Sequence, residues 1–153
     1  AAIRRIVLRE EPLIVALPMG HRLAAQTGPL KMNDLLHDPL IVYPKSPRPS
    51  FADQVLATFS DRMIVPEQVI EVRELQIAIG LVGAGQGIAI VPDSLQGMKR
   101  NDVVYRAIDD RRAVSPIIFS VRLMDRSEEL SNMLSVIYEI YDACKLPHVK
   151  EEL

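Results

Sequence analysis

Three apolar runs set the terms for this chain: residues 13–17 (LIVAL), 40–43 (LIVY) and 88–91 (IAIV), each closed by a proline at Pro18, Pro44 or Pro92. Runs of four or five residues are too short for a core helix and lack the alternation of a half-solvated strand. They predict strands buried on both faces, a pattern that needs helices above and below the sheet. The stretches between them supply such helices. Phe51, Val55 and Phe59 recur every four residues behind a Ser50…Asp53 capping pair, and Leu75, Ala78, Ile79 and Val82 form a second apolar face. A last helix is predicted from Ser127, with Glu128 and Glu129 in its first turn and a stripe of Leu130, Met133, Leu134, Ile137 and Ile140 or Tyr141. Strands alternating with helices predict an α/β fold with a largely parallel sheet. Residues 3–9 read as a further strand, separated from residues 13–17 by Pro12, which removes an amide from any ladder there. Residues 68–72, 103–105 and 117–121 are also strand-like, and the segment after Lys145 reads as frayed.

Composition narrows the function. At 153 residues the chain is one domain or two small lobes, and 18 basic against 20 acidic side chains leave a net charge of −2. No global basic field exists to hold a phosphate backbone, which disfavours nucleic-acid binding by this chain alone. No apolar run approaches the ~18 residues of a spanning helix. The single cysteine, Cys144, forbids an internal disulfide and suits a reducing, cytoplasmic setting. His21, His37 and His148 are far apart and lack ligand-spaced partners, so neither a metal nor a cofactor is expected. No nucleophile–base arrangement can be proposed from spacing, and catalysis has no positive sign.

Two glycine- or proline-rich segments invite a ligand. Gly83, Gly85 and Gly87 run from a helix into a strand, the reverse of a phosphate loop, and predict a helix-terminating turn. The loop Pro44-Lys45-Ser46-Pro47-Arg48-Pro49 instead feeds a helix N-terminus. Free amides there, the Ser50 hydroxyl and two cations suit a carboxylate or phosphate; an ordinary capped helix with solvated cations fits the same residues. Arg9 and Glu11 could pair with each other, or Arg9 could face another carboxylate, while Glu71, Arg73 and Glu74 read as a solvated strand edge and first helical turn. Tyr141 reads as a core or boundary aromatic.

Several stretches together resemble one family. Residues 3–13 (IRRIVLREEPL), 43–53 (YPKSPRPSFAD), 71–76 (EVRELQ) and 80–92 (GLVGAGQGIAIVP) are similar to the effector-binding domain of LysR-type transcriptional regulators, in the branch controlling catechol and benzoate degradation. The resemblance covers nearly the whole chain. It implies α/β lobes like those of type 2 periplasmic binding proteins, with the second lobe complete and the first partial. Residues 1–11 would be the exit strand of the first lobe, 12–114 the second lobe, 115–143 the strand and helix returning to the first, and 144–153 a tail. The family's helix-turn-helix, its route to DNA, and the earlier half of lobe one are not within this sequence.

The resemblance also implies site residues. Pro49, Ser50 and Phe51 would hold an effector carboxylate through the Phe51 amide and the Ser50 hydroxyl, where relatives often carry asparagine in place of Ser50. Glu74 matches a cleft position that pairs with a first-lobe arginine absent here. Leu8, Arg9, Glu11 and Tyr141 match a second, buried effector pocket of the benzoate-responsive relative. The implied ligand is a small aromatic-pathway carboxylate such as cis,cis-muconate, the implied assembly a homo-oligomer, and no membrane or enzymatic role is expected. A dianion needs donors at both ends, and these residues offer one end, so weak or no muconate binding is expected of this chain alone. The alternative is a solute-binding or enzyme domain on the same fold that acts on small dicarboxylates.

Overall fold

Alternation along the first strand organises the core. In the computed structural model, which describes residues 2–152, β1 (Ile3–Pro18) is one continuous strand of 16 residues. Pro12 therefore does not split it as expected. The ladders to β4 and β5 begin beyond it, at Leu13 and Ile14, and make no use of its missing amide. The chain divides into two compact units, Ala1–Glu11 with Ser115–Leu153, and Pro12–Val114. Ala1 and Leu153, the outer ends of the expected first and last segments, lie outside the described residues.

Within Pro12–Val114, consecutive residues of each short strand feed opposite layers. Leu13, Val15 and Leu17 of β1, Leu40 and Val42 of β2 (Leu40–Val42), and Ile90 of β4 (Ala89–Pro92) join one core with Ala52, Val55 and Phe59 of α1 (Phe51–Ser60). Ile14, Ala16, Ile41, Ala89 and Val91 point the other way and meet Ala78, Ile79 and Val82 of α2 (Leu75–Gly83). Period-2 side-chain direction thus explains why the three runs are apolar throughout: both faces are covered by helix.

The largely parallel sheet expected from the element order is a correction. β1 runs antiparallel to β4 and to β5 (Val103–Ala107), with Val15 opposite both Ile90 and Arg106. Parallel pairing joins β2 to β3 (Val69–Glu71), and isolated parallel bridges join Leu40 to Ile88 and Leu30 to Ile108. The glycine cluster forms the expected turn. Gly85 takes φ +79° and donates to the Val82 carbonyl at 2.9 Å, and Gln86 donates to Leu81 at 3.0 Å, closing α2.

In the other unit β6 (Val114–Arg122) pairs with β1, and α3 (Glu128–Ala143) covers one face. Ile6, Leu8, Leu130, Leu134 and Tyr138 make the core, with Ile137 and Tyr141 packed against it. Met133 and Ile140, expected in the stripe, are about half exposed, and Tyr138 stands in their place. The segment after Lys145 is not frayed: the Leu146 amide donates to the Tyr141 carbonyl at 2.8 Å and that of Glu151 to the Tyr138 hydroxyl at 3.1 Å.

Candidate functional site

Parallel pairing of β2 and β3 aligns Val42 with Glu71, so both strands end at the same edge. The loops leaving that edge lead into the N-termini of α1 and α2. This is the geometry in which open α/β sheets hold ligands: strand ends supply loops, and helix N-termini supply amides.

The loop into α1 is fastened on both sides. Its Tyr43–Pro44, Ser46–Pro47 and Arg48–Pro49 bonds are cis. The Lys45 amide donates to the Val72 carbonyl at 2.8 Å, just beyond β3. Arg48, expected to stand as a free cation, does not. Its Nε and Nη2 donate to Asp53 at 2.7 and 2.6 Å, and its Nη1 donates to Glu71 at 2.8 Å. These hydrogen bonds raise the guanidinium further and bring the Asp53 carboxyl down to about 2, with the Ser50 amide as the next cause for Asp53. Two carboxylates surround one cation, so the electropositive loop suggested by composition is locally neutralised.

Ser50 is likewise committed. Its Oγ accepts from the Ala52 amide at 3.2 Å and donates to the Pro44 carbonyl at 3.0 Å, while its own amide donates to Asp53 Oδ2 at 2.7 Å. The hydroxyl is a cap first, and a ligand could claim its proton only by displacing Pro44. The Phe51 amide is different: among the described residues it has no intramolecular acceptor. Its ring lies 5.3 Å from that of Tyr43, whose phenol is pushed up by burial. Pro49 precedes this cap on the exposed part of the loop.

Glu74 is the N-cap of α2 and makes no side-chain cap, leaving the first-turn amides of that helix without an internal acceptor. It lines a cleft of about 470 Å³ with Ser46, Arg73 and Ile77. Ser46 and Arg73 were not read as site residues. Their proximity is set by strand pairing, which no local pattern encodes.

The second group partly assembles. The Arg9 guanidinium carbon sits 5.8 Å from the centroid of the Tyr141 ring, and its Nε is buried without a hydrogen-bond partner. Leu8 and Tyr141 share the core beneath, and Glu11, two residues along β1, is buried. Val7, Leu8, Arg9 and Glu10 form one wall of a pocket of about 620 Å³. Pro147, His148 and Val149 form the other, a contribution that the sequence reading missed because it left the tail unplaced. Among the described residues no cluster of metal-ligating side chains occurs, and no helix is long and apolar enough to cross a membrane.

Residues 1–137 match the model of the LysR substrate binding domain. The chain is 49% identical over 136 residues to the probable cat1 operon transcriptional activator of Acinetobacter lwoffii, covering 89% of this chain and 45% of that protein. It is 38% identical over 141 residues to the HTH-type transcriptional regulator BenM of Acinetobacter baylyi, covering 92% and 46%. Against CatR of Pseudomonas putida it is 43% identical over 136 residues, covering 89% and 46%. The chain thus spans somewhat under half the length of these curated relatives. The solved BenM effector-binding domain with its effector benzoate superposes with a TM-score of 0.92 at 36% identity, covering 99% of this chain and 69% of that one. The relatives named here are transcriptional regulators, not enzymes.

Proposed function

Because the chain belongs to the LysR substrate-binding family, we propose that it is the effector-sensing part of a transcriptional regulator of aromatic-compound catabolism. Its ligand is a small carboxylate of the muconate or benzoate type. One observation carries the reading: the unspent Phe51 amide at the N-terminus of α1, on the strand edge that also carries Ser46, Arg73 and Glu74. A carboxylate oxygen there gains a charge-assisted hydrogen bond and the positive end of the helix dipole. The likeness to regulators of the cat and ben systems supports the ligand class. In the whole protein, effector binding would bias the geometry of a homo-oligomer, and a helix-turn-helix domain would deliver that bias to DNA.

The test exploits the position of Phe51 as the first helical residue, where proline is well accepted and removes only the amide proton. Ser50 is already extended (φ −145°, ψ −172°), as a residue before proline must be. The chain and its Phe51→Pro and Phe51→Ala variants would be titrated with cis,cis-muconate and benzoate by calorimetry and amide NMR. A charge-assisted hydrogen bond is worth about 1.5–3 kcal/mol, so F51P should bind roughly 10- to 100-fold more weakly than F51A. A Phe51 amide resonance unmoved by either ligand, or equal affinities of the two variants, would remove this site from the proposal.

A further inference from the structure

We infer that Arg48 is a specificity-determining residue of the α1 loop: by pairing with Asp53 and Glu71 it cancels the negative field that would otherwise turn a carboxylate away from the Phe51 amide. This deepens the function proposed above and rests on that reading of the site.

Two anions are built into the mouth of the loop. Asp53 stands in the first turn of α1, Glu71 ends β3, and Arg48 reaches both. Asp53 Oδ2 also accepts the Ser50 amide at 2.7 Å. The amide of Phe51 is the next along the chain. A carboxylate bound to it would therefore lie no more than about 9 Å from the Asp53 carboxylate. That is about one Debye length at physiological ionic strength, too short for salt to hide the repulsion.

The donors of Arg48 are allotted accordingly. Nε and Nη2 take the two oxygens of Asp53, and Nη1 takes Glu71 Oε1, at 2.6 to 2.8 Å. Both Asp53 oxygens are thus engaged, and the Phe51 amide is left for a ligand. With Arg48 this edge carries Lys45, Arg48 and Arg73 against Asp53, Glu71 and Glu74. Without it the balance turns negative beside the one unspent donor. A single amide favours an anion over a neutral carbonyl only where no other negative charge opposes it. Arg48 meets that condition without touching the ligand.

The test compares the native chain with Arg48→Gln, Arg48→Lys and the triple variant Arg48→Gln/Asp53→Asn/Glu71→Gln, each checked for folding by its urea midpoint. The first readout needs no effector. It is base-catalysed hydrogen exchange at the Phe51 amide, where hydroxide is the arriving anion. R48Q should slow this exchange roughly three- to tenfold at low salt, and much less at about 0.5 M salt. R48K keeps the charge but not the fork, and should stay within about twofold of native. The triple variant loses the clamp together with both anions, and should recover to about the same level. Benzoate affinity, measured by calorimetry, is the second readout and should follow the same order. A loss equal at low and high salt, or one that the triple variant does not recover, would overturn the charge role and leave Arg48 a brace for the loop. Benzoate left unbound by the native chain, with exchange still in the expected order, would sink the effector reading and leave the role of Arg48 standing.

Discussion

At Gly87 the constraint on a single residue is a carbonyl that cannot move. A Cβ built there would lie 2.4 Å from the Pro39 carbonyl oxygen, which is fixed because it accepts the Ile88 amide at 2.9 Å. Gly87→Ala should therefore force β2 away from the start of β4 and cost about 1–3 kcal/mol, as overpacking in a filled core does. Urea denaturation reads this directly, and an unchanged midpoint would show that the backbone yields freely. The sequence signalled that glycines cluster here, and the turn at Gly85 follows from their order between helix and strand. That Gly87 is required for close approach, and not for its turn, depends on a partner 48 residues away in sequence and was not legible. Ser50 with Asp53 is the opposite case, since a capping box is a local pattern and it formed as read. The same spacing concealed that Arg48 is spent on Asp53 and Glu71, which changes the site from an electropositive loop to a neutral clamp with one free amide.

Single elements show the same division between local signal and tertiary choice. Helix α3 carries apolar residues at 130, 133, 134, 136, 137, 138, 140 and 141, a band too wide for spacing to identify the buried sector. Packing on β1 and β6 selects Leu130, Leu134 and Tyr138 and leaves Met133 and Ile140 outside. The loop after β1 depends on a residue that no motif marks. From β5, Arg106 donates through Nη1 to the carbonyls of Leu23 and Ala24 at 3.1 and 2.7 Å, and through Nη2 to those of Gln26 and Gly28 at 2.5 Å each. One guanidinium thus replaces the secondary structure that residues 23–28 lack. Arg106→Gln cannot span four acceptors, and hydrogen bonds to a charged group are worth about 1.5–3 kcal/mol. A loss of about 2–3 kcal/mol is expected. Proteolytic nicking within residues 22–29 should appear in the variant before any cut elsewhere. First cleavage outside that loop would show that it is held by other means.

For the molecule as a whole, the α/β class was legible because burial on both faces leaves its mark on every strand, whereas the direction of pairing leaves none. A run such as LIVAL is equally apolar beside a parallel or an antiparallel neighbour, and β1 took antiparallel partners on both sides. A property spread over both units is clearer once the structure is known. Asp53, Asp102 and Asp110 in one unit and Asp125 and Asp142 in the other all have carboxyls held below their ordinary value. The leading causes are hydrogen bonds from Arg48, Arg100, Arg62, Ser127 and Lys150 respectively. A carboxyl depressed in the folded state stabilises the fold above its unfolded value of about 4, and that contribution disappears as pH falls through the folded value. Asp53, down to about 2, places its share of the loss between about pH 4 and 2. Urea midpoints should therefore fall steeply across that window, less so at high salt because these groups are mostly exposed. Asp53→Asn keeps the side-chain shape but loses the charge facing Arg48. It should start less stable at neutral pH and lose less on acidification, so the two curves converge near pH 2. Parallel curves for the native chain and D53N would mean that the Arg48–Asp53 clamp contributes nothing to acid stability.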